Sequence, residues 1–302
     1  MMQVIDTTTS EFDIRPFVEE YSSAVRAFGE SISPTWVDDK LSRIANGQEF
    51  CIGAVEEGAL KGILSYGYRD MRGDSFVTWG AGEADREGLL LLIREYVNRS
   101  PREFKLRISG MHPNIRQELM STVSESLGFV TRSRFEMVCP LGEASSLPDE
   151  TINYTTSSII NYDETVLSRL DWEAFSGTTD QRLFFDTEEQ NRKMLKSLLS
   201  GDYGPVISDA SICVLLDDRP EAMIAVTDVG DSAFIADIAV SSRLRRKGVG
   251  RYLLTNALKA AGRLKKDKMV LWVSEDNLPA ISLYKSMGFT VSRTGVYHIK
   301  AE

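Results

Sequence analysis

Apolar and polar positions in the second half of the chain alternate between helical and strand spacing. Residues 163–175 and 187–200 repeat apolar positions at helical spacing, whereas 211–216 and 223–227 are short apolar runs separated by a turn sequence. The run AFIADIAV at 233–240 is almost continuously apolar, which indicates a strand covered on both faces of its sheet. This half therefore predicts a mixed domain of helices and strands.

The pattern continues in the same way to the end of the chain. Residues 249–264 carry apolar positions at helical spacing, and 269–273 form a further apolar run typical of a buried strand. Asn277 is suited to cap a short helix, and Gly288 is suited to end it. A last strand is expected over residues 289–299.

The first half shows a similar order of predicted elements. Helical patterns lie at 14–29, 35–46, 85–98 and up to 127, and strand patterns lie at 50–55, 60–68, 75–79, 104–109 and up to 139. The junction SLGF at 126–129 returns as SMGF at 286–289, 160 positions later. This repetition predicts two copies of one fold, joined in the Pro-, Ser- and acid-containing segment 140–150. We place the two domains at 1–145 and 146–302.

The net charge of −9 is unevenly distributed. Residues 1–150 contain 16 basic and 24 acidic residues, whereas residues 241–268 contain ten basic residues and one acid. An acidic protein with one basic segment is a poor general binder of nucleic acid, so we expect no nucleic-acid partner. A local anionic ligand would explain the basic segment, and a solvated helix face is the alternative.

Three features bear on the compartment. Cys51, Cys139 and Cys213 lie in apolar runs without metal-ligand spacing, which favours reduced cysteines in the core and no metal. The chain has no run of about 20 apolar residues that would span a membrane. Its first residues show neither the basic nor the apolar region of a secretory signal. We therefore expect a cytoplasmic protein without a membrane partner.

A glycine-containing loop lies between the strand at 233–240 and the helix that follows it. Residues 245–251 read RRKGVGR, so two glycines and four basic side chains stand at a helix N-terminus. Glycines let a ligand approach the backbone, and the free amides of a helix N-terminus attract anions. The loop predicts a site for a pyrophosphate, although a G-x-G sequence alone is as typical of a tight turn.

A second motif follows about 25 residues later. Asn277, Ala280 and Tyr284 are spaced by three and four positions, so they share one face of the predicted helix. That face would carry a capping amide and a phenol. On its own, Tyr284 would more often be a core aromatic residue.

The two motifs together resemble the acetyl-CoA core of the GNAT acetyltransferase superfamily. The strand end Ile238-Ala239-Val240, the loop 245–250 and the series from Val273 to Phe289 match the family pattern in register. The resemblance implies an α/β (α+β) protein of two tandem GNAT-like domains, each a mixed, mostly antiparallel seven-stranded sheet flanked by helices. It also implies one acetyl-CoA as co-substrate, bound by Ile238, Ala239, Val240, Arg245, Arg246, Lys247, Gly248, Val249, Gly250, Arg251 and Asn277. Tyr284 would lie near the thioester sulfur.

The first half departs from this pattern at both motifs. Residues 83–88 read EADREG, which is acidic where a phosphate would need cations, and Ser124 stands at the place of Tyr284. We expect the first domain to be a degenerate copy without a cofactor site.

The resemblance implies direct transfer of the acetyl group to an amine, which requires a base because amines with a pKa near ~10 are mostly protonated at pH 7. Trp272 stands where many family members have a glutamate. Asp237 is the leading substitute, with a structural acid bonded to backbone amides as the alternative. His298 on the last strand is a further candidate, whereas Glu275 and Asp276 fit turn and cap roles better.

We therefore expect an N-acetyltransferase in which Tyr284 and Asp237 are catalytic and a small-molecule or peptide primary amine is the acceptor. One alternative is a module that senses acyl-CoA without turnover, although a phenol at the sulfur argues against it. The other is a transferase of aminoacyl or larger acyl groups, including the mycothiol synthase type. The charge of the first half speaks against a tRNA donor.

Overall fold

The chain folds into two compact units. The computed structural model describes residues 2–8, 11–28, 32–69, 72–142, 144 and 147–301. One unit comprises Met1–Ser133 with Gly295–Glu302, and the other comprises Arg134–Thr294. Strand β6 (Phe129–Pro140) begins in the first unit and ends in the second, and strand β12 (Thr290–Lys300) does the reverse. The division of the structure therefore does not coincide with the boundary expected between residues 145 and 146.

The first unit is a mixed sheet with helices. Its strands lie in the order β1-β2-β3-β4-β5-β12-β6. Strands β4 and β5 are parallel, whereas β1–β2, β2–β3, β3–β4 and β5–β12 are antiparallel. In chain order the elements before β6 are β1 (Gln3–Asp6), α1 (Arg15–Ala27), α2 (Trp36–Ala45), β2 (Phe50–Glu56), β3 (Ala59–Arg69), β4 (Arg72–Trp79), α3 (Arg86–Arg99), β5 (Lys105–Ser109) and α4 (Gln117–Ser126).

The second unit has the same design. Its strands lie in the order β12-β6-β11-β10-β9-β8-β7. Strands β10 and β11 are parallel, and β6–β11, β9–β10, β8–β9 and β7–β8 are antiparallel. The elements are β7 (Thr155–Ser158), α5 (Glu164–Phe175), α6 (Thr179–Phe184), α7 (Glu188–Leu199), β8 (Ile212–Leu216), β9 (Arg219–Val229), β10 (Ser232–Val240), α8 (Val249–Arg263), β11 (Lys268–Ser274) and α9 (Leu278–Ser286). The predicted mixed, mostly antiparallel sheets with flanking helices are confirmed.

The two units repeat each other at the level of strand register. Leu216 pairs with Arg219 in the second unit as Glu56 pairs with Ala59 in the first, 160 positions earlier. Both hairpins also shift register at the equivalent place, between positions 54 and 55 and between 214 and 215. Two-residue turns with positive φ at both positions join the strands, as the right-handed twist of a hairpin favours. The structure thus supports the predicted duplication.

Helices cover both faces of the second sheet. Successive residues of β9 point to opposite faces, so Met223 and Ile224 belong to different cores. Ile224 packs with Leu253 and Leu258 of α8, whereas Met223 packs with residues of α5 and α7 such as Leu195. Burial on both faces explains why the sequence of β10 is apolar almost throughout.

Candidate active site

The parallel pair at the centre of the second sheet opens after three residues. Ser232, Ala233 and Phe234 of β10 pair with Lys268, Met269 and Val270 of β11, and the described pairing ends there. Beyond this point the two strands line a cavity of about 250 Å³. The backbone of Ile238, Ala239 and Val240 still pairs with β9 on its other side. One edge of β10 is therefore left for a ligand.

A β-bulge lies where β10 opens. Ile235 pairs with Val226 and Asp237 pairs with Ala225, so Ala236 is an extra residue on β10. Such a bulge bends a strand and changes the direction of the following side chains. The equivalent pair in the first unit, β3 with β4, keeps its register from Gly62–Trp79 to Arg69–Arg72. The two copies thus differ in backbone at this place.

The glycine loop leads into helix α8 as the sequence predicts. Gly248 is the N-cap residue, with φ of 82°, and no side chain caps the helix. The amides of the first turn, from Val249 to Arg251, therefore remain available to an anion. Arg246 and Lys247 are exposed and form no ion pair or hydrogen bond within the described part of the chain. These features suit a pyrophosphate.

Two other basic residues of the loop already have partners. Arg245 donates from Nε to the carbonyl of Val240 (3.1 Å) and from Nη2 to that of Ala174 (2.6 Å). Arg251 donates from Nη2 to Oγ of Ser286 (2.8 Å). These bonds fix the loop to β10, α5 and α9. The cofactor-binding role of both arginines stays a prediction, and both also have a structural role that the sequence did not indicate.

Helix α9 places the second motif on the cavity. Oδ1 of Asn277 accepts a hydrogen bond from the amide of Ala280 (3.3 Å), which confirms the predicted cap. Asn277, Ala280 and Tyr284 all line the cavity, as their shared helix face predicts. Tyr284 is buried, and its hydroxyl forms no hydrogen bond to a described residue. Burial, with the nearby carboxylates of Asp180 and Asp237, raises the pKa of this phenol well above its usual value.

Asp237 forms a pair with a second carboxyl group. It is 9% exposed and faces Asp171 of α5, which is completely buried. Burial raises the pKa of Asp237 to about 6, although hydrogen bonds from Asp171 and the amide of Ile238 oppose the rise. Burial and the charge of Asp237 raise the pKa of Asp171 well above the ordinary value. Because two neighbouring buried carboxyl groups do not both ionise readily, the stronger rise at Asp171 favours a proton on Asp171 and a carboxylate at Asp237.

A third carboxylate, Asp180 of α6, is paired with the guanidinium of Arg134. Its Oδ1 accepts from Oγ of Ser274 (2.7 Å) and lies 3.4 Å from Nη2 of Arg134. Arg134 also donates to the carbonyl of Trp272 (3.0 Å) and lies under the ring of Phe184. This ion pair leaves the Asp171–Asp237 pair as the remaining acidic group of the cavity among the described lining residues.

Sequence reasoning missed Asp171, Asp180 and Arg134. None belongs to a motif, and each lies far along the chain from residues 237–284. An available signal was Asp171 in the sequence LSRLDWEAF, where helical spacing places it on the apolar side with Leu167 and Leu170. A buried carboxylate on an apolar helix face is costly unless it has a role.

The other candidate bases lie elsewhere. His298 belongs to the first unit, where it is buried, contacts His112 and bonds to Thr131, and it is not among the described residues that line the cavity. Glu275 and Asp276 are exposed in the turn before α9, as expected. Asp276 accepts a hydrogen bond from Thr179.

Comparisons with known proteins agree with this geometry. A family model described as "Acetyltransferase (GNAT) family" matches residues 167–289. Residues 167–289 are thus similar to a GNAT domain. A search of the curated proteins found no match.

Solved structures extend the similarity to both units of the fold. A GCN5-related N-acetyltransferase from Sphaerobacter thermophilus is 16% identical, with 99% of this chain and 95% of that chain covered and a TM-score of 0.59. A tandem GNAT protein from the clavulanic acid biosynthesis pathway is 13% identical, with 99% and 98% covered and a TM-score of 0.53. A GNAT-family acetyltransferase from Colwellia psychrerythraea is 10% identical, with both chains fully covered and a TM-score of 0.50. At these identities the likeness concerns the fold.

The described residues were expected to hold neither a membrane span nor a metal site. No helix among them is long and apolar enough to cross a membrane. No group of three or more His, Cys, Asp or Glu residues within the same ranges could hold a metal ion. Cys51, Cys139 and Cys213 are buried and unpaired.

Proposed function

We propose that this protein is an N-acetyltransferase that uses acetyl-CoA and a primary amine, with one active site in the GNAT domain. The GNAT fold supports acyltransferase activity in general. The observation that carries the finer proposal is the cavity itself, which is lined both by the opened part of β10 and by Tyr284. An unpaired strand edge and a proton-donating hydroxyl in one cavity suit a ligand with an amide-containing arm and a reactive group at the end of that arm. The arm would pair with the strand edge.

The residues present fit acetyl-CoA as co-substrate. The amides at the start of α8, with Arg246 and Lys247, would hold its pyrophosphate. The free edge at Ile238–Val240 would pair with the amide groups of its pantetheine arm, and Asn277 lines the same cavity as Ile238. When bound, this co-substrate supplies an acetyl group activated as a thioester.

The chain's own side chains would manage the protons. The raised pKa of Tyr284 keeps its hydroxyl protonated at neutral pH, so it is suited to donate to a departing thiolate. The carboxylate of Asp237 is suited to accept a proton from the acceptor amine, because its pKa of about 6 lies close to neutral pH. Asn277 and the helix α9 that it caps would position Tyr284.

The first unit would have no site for acetyl-CoA. Its helix α3, the equivalent of α8, is capped by Asp85, whose carboxylate occupies the place of an anion.

The protein would work in a reducing compartment. The three free, buried cysteines support a cytoplasmic location.

A screen tests this proposal. The full chain is incubated with acetyl-CoA and a panel of amines, amino acids and peptide N-termini, and release of free thiol is recorded. Thiol release that depends on an amine supports the transferase. Tight binding of acetyl-CoA without amine-dependent thiol release for any member would favour the sensing module instead.

A further inference from the structure

The cavity of the GNAT domain has one apolar wall. Aromatic and aliphatic side chains from α5, from α6 and the residue after it, from α7 and from β10 line it, and the guanidinium of Arg134 lies against the ring of one of them, Phe184. Its members are Phe175, Phe184, Phe185, Met194, Leu198 and Phe234. An acceptor with a polar or charged body would lose hydration here without gaining hydrogen bonds. The wall therefore suits an apolar body.

Two buried carboxyl groups also line this cavity. Asp171 and Asp237 line it, and Oδ2 of Asp237 is buried with no hydrogen-bond partner assigned from the described residues. Burial of a carboxylate without a full set of partners is costly, and an ammonium group would supply the missing donors. Because Asp180 is already paired with Arg134, the pair Asp171–Asp237 is the place for such a cation.

The cavity also limits size. Its volume is about 250 Å³, below the ~300–1,000 Å³ that is usual for drug-sized ligands. Part of this space lies beside the opened edge of β10, where the donor would bind. The remainder suits an acceptor with a single ring or a short branched chain.

We infer that the acceptor is a small primary amine with an apolar, single-ring body and no carboxylate, whose ammonium group binds the Asp171–Asp237 pair while its body packs against Phe184 and its neighbours. This inference rests on the proposed function and specifies its substrate class. Asp237 is the group that touches the amine, and Asp171 is a positioning residue that donates a hydrogen bond to Asp237.

The proton balance of transfer follows from this arrangement. The ammonium group has three protons, and the amide product keeps one. Asp237 accepts one proton and passes it to water. As the N–C bond forms and the C–S bond breaks, sulfur leaves with the bonding electrons and is protonated by Tyr284, which regains a proton from the nitrogen through water. The products are one amide, one thiol and one released proton.

A matched acceptor series tests the substrate class. We expect kcat/KM for 2-phenylethylamine to exceed that for phenylalanine, which adds only a carboxylate, by at least about a hundredfold. We expect 1,5-diaminopentane, which places a second cation at the apolar wall, to be similarly poor. Equal or better turnover of either comparison compound would overturn the inference.

Direct binding separates this inference from the proposed function. Calorimetry with 2-phenylethylamine and, separately, with acetyl-CoA reports on the two sites of the wild-type chain. If acetyl-CoA does not bind, the proposed function fails. If acetyl-CoA binds but 2-phenylethylamine neither binds nor is acetylated, the substrate class is wrong and the donor site remains.

A variant of the apolar wall tests where the body of the acceptor binds. Phe184→Ala should lower kcat/KM for 2-phenylethylamine about tenfold or more and leave that for ethylamine nearly unchanged. Equal losses for both amines would contradict packing of the body on this ring. Binding of acetyl-CoA and the melting temperature show whether the variant is folded.

The pH dependence of kcat/KM tests the positioning role of Asp171. Its hydrogen bond lowers the pKa of Asp237, so Asp171→Leu should move the acid limb of kcat/KM to higher pH, whereas Asp171→Asn, which keeps a donor, should restore it. Asp180, Arg134 and Tyr284 also line the cavity and are unchanged in both variants. An acid limb that stays in place in a folded Asp171→Leu variant would overturn the positioning role.

Discussion

The carboxylate of Asp85 accepts a hydrogen bond of 2.7 Å from the backbone amide of Gly88 at the start of α3. The equivalent helix of the second unit, α8, begins at Gly248 without any side-chain cap. A carboxylate at a helix N-terminus satisfies its amides and repels a further anion. We therefore expect the first copy to exclude a phosphate at this helix and the second copy to admit one.

This contrast predicts one acetyl-CoA per chain. Calorimetry on the full chain should give a stoichiometry of one, because the first unit lacks both the free helix terminus and the bulge of β10. Asp85→Asn keeps the cap and should leave stoichiometry and affinity unchanged. Two sites per chain would contradict the assignment of the first unit as a degenerate copy.

A negative charge at Gly248 should abolish donor binding. Nothing lies within 4 Å of a Cβ built at this position, so a glutamate has room but would bring its carboxylate to the pyrophosphate. Losing two charge-assisted hydrogen bonds at about 1.5–3 kcal/mol each should weaken affinity at least about a hundredfold.

The control for this variant addresses backbone strain. Gly248 has φ of 82°, which asparagine tolerates better than most residues. Gly248→Asn should therefore lose much less affinity than Gly248→Glu. Equal dissociation constants for wild type and a folded Gly248→Glu variant would show that the phosphates bind elsewhere.

Removal of the Tyr284 hydroxyl should slow catalysis and spare binding. Tyr284→Phe keeps the buried ring, which packs near Phe289, and removes the proton donor. General-acid assistance contributes about 10²–10⁴-fold, so kcat should fall by that order while the dissociation constant of acetyl-CoA changes little. Turnover within about threefold of wild type would assign the hydroxyl a packing role only.

The sequence predicted the local geometry of α8 and α9 more completely than the acidic pair in the cavity. The α8 start, the Asn277 cap and the placement of Tyr284 depend on local patterns of glycine, capping residues and helical spacing. Each feature forms within a few residues of chain, so a motif of that length contains it.

The acidic pair depends on packing between distant segments. Asp171 lies 66 positions before Asp237, and only the packing of α5 on β10 brings the two carboxyl groups together. The bulge at Ala236 shifts the register at Asp237, and the sequence AFIADIAV contains no glycine or proline that would mark it. No local pattern marks where β6 and β12 cross the division between the units either.

The buried histidines of the first unit should make stability depend on pH. Burial lowers the pKa of both His112 and His298 to about 4, against an ordinary value of 6.5. The unfolded chain therefore binds protons more tightly, and unfolding free energy should fall as pH decreases from about 6.5 towards 4, by up to about 3 kcal/mol for each histidine. Chemical denaturation at pH 7 and pH 5 measures the loss.

A histidine-free control isolates this effect. His112→Phe keeps a ring beside His298 and removes one titrating group, so its loss of stability between pH 7 and pH 5 should be smaller than that of wild type. An identical loss in the two proteins would assign the pH dependence to other groups.

The central claim is direct transfer from acetyl-CoA to an amine in the GNAT domain. A single-turnover experiment tests it most directly, with the full chain in excess over acetyl-CoA labelled in its acetyl carbon and 2-phenylethylamine as acceptor. We expect the label to move into the amide in amounts equal to the free thiol, no label to be found on the protein, and Gly248→Glu to stop the transfer. Direct transfer would be contradicted by label released as acetate or by label bound to the protein as an intermediate. It would also be contradicted if bound acetyl-CoA stays intact with every amine of the panel.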